Sequence, residues 1–276
     1  PSMTDPGRRV AELDAAGLSH QAVSLPPFLM ASTNPDAAFV TELAHRGTEA
    51  LLDYCAAAPA RLLPLASVPV GAPSGPAAAT GWLGVVRGFA VGSRGAGRDL
   101  DDPVNAELWS VLSQAESFVL LHPSAIPDPG RLGAHWFPQL VGYPIETAIA
   151  TARLAAAGVL EATPLRLCLA HGGGCLPALR PRLDLGWHRK DVARATAAPD
   201  GQVFARLYYD TAVFDPVALR RLVEDVGAGQ VLLGTDHPFD LAERDPVGFV
   251  RSAALAPDAE AAVLHATAAR LLRLAG

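Results

Sequence analysis

Short apolar runs alternate with helix-like stretches throughout this chain, and three of the runs stop on a side chain that can hold a metal ion or a proton. Residues 118–121 lead into His122-Pro123-Ser124, residues 165–170 into His171-Gly172-Gly173-Gly174, and residues 231–233 into Gly234-Thr235-Asp236-His237-Pro238-Phe239. Apolar runs of this length, bounded by glycine and proline, read as strands buried on both faces. Their alternation with helices calls for a parallel sheet, because parallel neighbours are joined only through a crossover. In a barrel of such strands the C-terminal ends form a mouth, where chemically competent side chains gather.

The alternation runs from end to end. Thr4-Asp5-Pro6 offers a capping side chain and a first-turn proline to a helix that stops at Gly17. Strand-like runs follow at 21–25, 62–68, 86–91, 118–121, 165–170, 206–211 and 231–234, separated by helical stretches such as 35–58, 103–115, 145–160 and 216–226. The expectation is an α/β fold, a (β/α)8 TIM-type barrel forming one domain over residues 1–276, with the first strand lacking from this chain. Seven runs stand where eight are needed and the chain opens on a helix, so the place for the other strand is ahead of Thr4. Met3-Thr4 itself reads as a start. An unclosed ring leaves a sheet edge in need of cover, which favours self-association.

Half of the 276 residues are hydrophobic and 18% are charged, enough for a large core. A net charge of −6 with scattered Lys and Arg argues against a nucleic-acid surface. No apolar run nears the roughly 18 residues of a membrane span. The first ten residues carry two arginines and no apolar stretch, unlike a signal peptide. Cys55, Cys168 and Cys175 lack CxxC spacing, which suits a reducing cytoplasm. Cys168 reads as a core residue; Cys175 either borders the site or is an inert neighbour of the glycines.

His122 and Asp236 each sit where a strand ends and a proline closes the turn, so both are expected at the mouth. Imidazole together with carboxylate suits Zn²⁺, Mn²⁺ or Fe²⁺. Taken singly, they read equally well as a loop histidine and a helix-capping aspartate; together at strand ends they favour a site. His171, ahead of three glycines, suits a general acid or base. His-Gly-Gly-Gly also occurs as the oxyanion loop of lipase-type hydrolases, but that chemistry needs a Gly-x-Ser-x-Gly elbow, which this chain does not contain. The other histidines read as packing or surface residues, His237 because it points away if Asp236 points in. The loop Gly92-Ser93-Arg94-Gly95-Ala96-Gly97-Arg98 reads as a plain turn rather than an anion cradle.

An ordered set of residues is more specific than any one motif. It runs from Asp5-Pro6, Arg9-Val10 and Leu13-Asp14 through His122-Pro123, Trp136, Pro138-Gln139-Leu140-Val141-Gly142-Tyr143-Pro144 and Leu169-Ala170-His171-Gly172-Gly173-Gly174. It continues to Tyr209-Asp210-Thr211-Ala212 and Leu233-Gly234-Thr235-Asp236. Over nearly its whole length the chain thereby resembles the metal-dependent amidohydrolase-related decarboxylases, and most closely the aminocarboxymuconate semialdehyde decarboxylase group. The resemblance implies a single zinc with His122 and Asp236 among its ligands, and His171 activating water and moving a proton. It implies that Arg182 reaches across a homodimer interface to a substrate carboxylate, and that Trp136 and Phe239 line the pocket. Two departures accompany it. The family opens on a strand carrying His-x-His, which supplies two further zinc ligands, followed by another substrate-binding arginine, and this chain begins after both. Its close decarboxylases also place an aromatic residue where Ser124 stands here, so the substrate is expected to differ.

The expected function is therefore metal-dependent, non-oxidative decarboxylation of a small unsaturated or aromatic carboxylate by a cytoplasmic homodimer. A hydrolase or hydratase acting at the same site is the nearest alternative. A metal-free, non-catalytic binding or assembly protein is the other, because the His-x-His is absent.

Overall fold

The computed structural model describes residues 2–194 and 196–274. Aspartate and proline set where its helices begin. Asp5 accepts from the Arg8 N–H ahead of Pro6–Ala15, Asp36 accepts from the Ala38 and Phe39 N–H groups ahead of Ala37–Ala56, and Asp215 accepts from the Ala218 N–H ahead of Pro216–Val226. Each cap satisfies backbone donors that the first helical turn leaves unpaired.

Seven parallel strands form the central sheet: β1 (Gln21–Val23), β2 (Leu62–Ser67), β3 (Gly88–Gly92), β4 (Phe118–His122), β5 (Arg166–Leu169), β6 (Tyr208–Asp210) and β7 (Val231–Leu232). Their order in space is their order in the chain. Each of the seven apolar runs of the sequence is one of these strands. Side chains alternate between two packing layers, as the period of a strand requires. Phe89, Val91, Val119, Leu121, Leu167 and Leu169 face outwards and meet Trp109, Leu112 and Leu154 of the covering helices. Leu65, Ala90, Phe118, Cys168 and Leu232 face the other way into an inner cluster. The sheet curls around that inner face, so that Val23 of β1, Phe118 of β4 and Leu232 of β7 line one cavity of about 490 Å³.

The curl does not close. Among the described residues no ladder joins β7 to β1, which leaves a seam between the first and last strands. β7 is shorter than the sequence suggested because the Leu233 N–H turns away from the sheet and donates to the Val263 carbonyl, 3.0 Å away. The C-terminal segments Ala262–Ala266 and Thr267–Leu271 lie there, and Leu271 and Leu272 pack into the inner cluster. The glycine loop after β3 is more ordered than a plain turn: Arg94–Gly95 and Arg98–Asp99 form a small antiparallel ribbon tied by an Arg94–Asp99 ion pair of 3.0 Å. No helix among the described residues is long and apolar enough to cross a membrane.

Leu121 is fully buried one residue before His122. Its replacement by alanine should cost about 2–5 kcal/mol of stability, read as a lowered urea midpoint, because a packed layer relaxes only partly around the lost side chain.

Candidate metal and substrate site

β4 delivers His122 to the rim of the sheet. Its Nδ1 lies 2.8 Å from the Pro123 carbonyl. A carbonyl only accepts, so Nδ1 carries the proton and the Nε2 lone pair is left free for a ligand. Burial, reinforced by the neighbouring His171, pushes the His122 pKa down to about 4. The ring is therefore neutral near pH 7, the state a metal ligand requires.

His171 follows β5 in a run of four left-handed residues, with φ of 57° at His171, 59° at Gly172, 80° at Gly173 and 61° at Gly174. Glycine alone tolerates such a run at its last three positions. Space enforces the same choice, because a Cβ on Gly172 would strike Val213 and one on Gly174 would strike the Pro144 carbonyl. Asp210, ending β6, holds the run in place: its Oδ1 accepts from the Gly172 N–H at 2.8 Å and the Ala212 N–H at 3.1 Å. Burial opposes charge on His171, yet the neighbouring carboxylates of Asp236 and Asp210 outweigh it and raise its pKa.

Asp236 stands beyond β7 with a left-handed φ of 54°. Thr211 Oγ1 both accepts from the Gly234 N–H and donates to the Gly234 carbonyl, each at 3.1 Å, which ties this loop to the end of β6. His171 Nε2 and Asp236 Oδ1 are 3.7 Å apart, and the His122 and His171 rings meet edge-on with centroids at 4.8 Å. One potential ligand atom from each of His122, His171 and Asp236 lies within 4.8 Å of the others. Among the described residues, His171 Nδ1 is buried with no hydrogen-bond partner. Two imidazoles, one of them with this unpartnered nitrogen, and a carboxylate fit a divalent transition-metal ion, with coordination positions left over.

The cluster opens into a cavity of about 900 Å³ walled by Phe28, Trp136, Tyr143, Phe214 and Phe239. Trp136 and Phe239, singled out in the sequence, thus share a cavity with all three polar residues. Arg182 does not: it is exposed on the helix Leu176–Arg189 and lines neither this cavity nor the inner one. Within one chain the structure therefore does not bring Arg182 to the cluster. Ser124 turns away as well, its Oγ accepting from the Ser93 N–H at 3.1 Å and pairing with the Ser32 hydroxyl. Cys175 is absent from the walls of both cavities.

Sequence reasoning missed Asp210, which ends an apolar run as Asp236 does but has no glycine or proline after it to mark a turn. Asp210→Ala should cost about 1–3 kcal/mol for each backbone N–H it strands in the interior. The check is a lowered denaturation midpoint together with faster amide exchange at Gly172 and Ala212.

Comparison with known proteins gives the family. An amidohydrolase family model matches residues 1–274. The chain belongs to that amidohydrolase family. It is 33% identical over 168 residues to a 2-amino-3-carboxymuconate-6-semialdehyde decarboxylase of Dictyostelium discoideum, covering 60% of this chain. The match spans 47% of that relative's length, about half. A 5-carboxyvanillate decarboxylase from Sphingomonas paucimobilis superposes with a TM-score of 0.85 at 25% identity, over 98% of this chain and 83% of its own. A dihydroxybenzoic acid decarboxylase from Polaromonas sp. JS666, solved with manganese and 2-nitroresorcinol, has the same fold, with a TM-score of 0.86 at 22% identity over 97% of this chain and 85% of its own.

Proposed function

We propose that this protein is a metal-dependent, non-oxidative decarboxylase of a small aromatic or unsaturated carboxylate. One observation carries the reading: His122, His171 and Asp236 converge within 4.8 Å at the floor of an aromatic-walled cavity. The activities of the relatives, all removing a carboxyl group from a small conjugated acid, point the same way. His122 and Asp236 would hold the divalent ion, zinc or the manganese named for the Polaromonas enzyme, and it would supply Lewis-acid polarisation of a substrate oxygen.

The rest falls to the chain's own groups. Trp136 and Phe239 stack against the flat acid and keep water away from the reacting carbon. His171, 3.7 Å from Asp236 on the wall of the same cavity, is the proton source. When the bond to the carboxyl carbon breaks, CO₂ leaves, the electron pair stays on the ring carbon, and the His171 proton fills the vacated position. The acid thus exchanges CO₂ for one proton, and no oxidant or reductant is consumed. In a cytoplasmic homodimer, Arg182 of a second copy would grip the departing carboxylate, where a planar guanidinium matches both oxygens.

Elemental analysis of the purified protein should find about one equivalent of a divalent metal. Incubation with hydroxylated benzoates and carboxymuconate-type acids should release CO₂. His171→Ala should lower turnover by about 10²-fold or more, the usual worth of a proton-transfer group, and keep the metal; His122→Ala and Asp236→Asn should lose it. Full turnover in His171→Ala, or a wild-type protein that takes up no divalent ion, would sink the assignment.

A further inference from the structure

His122 and His171 follow strands with a neighbour on each side, so the sheet itself fixes where they stand. Among the described residues, Asp236 follows β7, a strand of two residues paired with β6, through Tyr209 with Val231 and Asp210 with Leu232. Past Leu232 the backbone leaves that ladder, the Leu233 N–H donating to the Val263 carbonyl. Thr211 anchors the loop towards β6 through Gly234.

A side-chain contact ties the loop to the first helix. Glu12, on the helix Pro6–Ala15 that precedes β1, places Oε2 2.7 Å from Nε2 of His237, the residue next to Asp236. The carboxylate can only accept, so His237 Nε2–H donates. The other Glu12 oxygen accepts from Arg8 Nε at 2.9 Å. Arg8, then Ser2 and His237, hold the Glu12 carboxyl down to about 2, so it is ionised throughout the working pH range. The helix that carries it is itself bound to β1 and beyond, Arg9 donating to Gln21 Oε1 at 2.8 Å and to the Tyr54 hydroxyl at 2.9 Å. Among the described residues His237 Nδ1 is buried without a partner, and Glu12 provides the polar attachment of that ring.

We infer that Glu12 is a positioning residue: by gripping His237 from the helix Pro6–Ala15, it keeps Asp236 in register with His122 and His171. Its grip is a property of the fold, while its effect on an ion rests on the metal reading above. Groups that orient a metal ligand from outside typically change affinity by about 10–100-fold when removed.

Two measurements on purified wild type, Glu12→Ala and Glu12→Gln separate these points. Hydrogen–deuterium exchange by mass spectrometry, without added metal, should show faster exchange over residues 234–243 in Glu12→Ala and unchanged exchange over 118–122. Glu12→Gln, whose amide oxygen still accepts from His237, should return to near the wild-type rate. Calorimetric titration with Mn²⁺ should show Glu12→Ala binding about 10–100-fold more weakly, with Glu12→Gln in between. Unchanged exchange over 234–243 in Glu12→Ala overturns the inference whatever the titration gives. Faster exchange with undiminished Mn²⁺ affinity also overturns it, since the loop would then be held but the ligand not placed. If the wild type binds no Mn²⁺ while the loop loosens only in Glu12→Ala, the grip stands and the metal reading alone falls.

Discussion

Parallel pairing carries the site, because strands that all run one way deliver all their C-terminal ends to a single rim. The register makes this concrete: Gly92 pairs with His122, Leu121 with Leu169, and Asp210 with Leu232. Residues far apart in the chain are thus set side by side before any of their own side chains interact. The outward leucines and phenylalanines that bury the sheet beneath its helices stabilise this register. A slip of one residue would turn every one of them inward.

At the rim the environment divides the labour between two similar side chains. His122 and His171 have ring centroids 4.8 Å apart, yet burial and its neighbour drive one pKa down to about 4 while the two aspartates raise the other. Environments that push paired titratable groups apart are how one pocket keeps a neutral donor next to a proton carrier. The left-handed run at His171-Gly172-Gly173-Gly174 sets the geometry of that division, and Asp210 holds it from below.

Much of this could be read in the amino-acid sequence, for a physical reason. A strand buried on both faces is a continuous apolar run, so each of β1 to β7 shows as one. Its end shows as a polar residue followed by glycine or proline, which is how His122, His171 and Asp236 stood out. What did not show depends on contacts distant in sequence. Asp210 ends a run that continues into Thr211, Ala212 and Val213, with no glycine or proline to mark the break. Ser124 lies beside a histidine that faces the cavity, and only its partners Ser32 and Ser93 reveal that it faces elsewhere. The ribbon after β3 was hidden because its two-residue strands, Arg94–Gly95 and Arg98–Asp99, carry no apolar pattern. Glu12 and His237 are 225 residues apart, and no spacing rule connects them.

The contact between Glu12 and His237 has a mechanical consequence. It couples the helix Pro6–Ala15 to the loop that carries Asp236, while His122 and His171 follow strands paired on both sides. A displacement of that helix would move Asp236 relative to the two histidines while leaving their mutual spacing alone. The carboxylate is therefore the hinged jaw of the cluster, and any force on the helix before β1 is felt at it first.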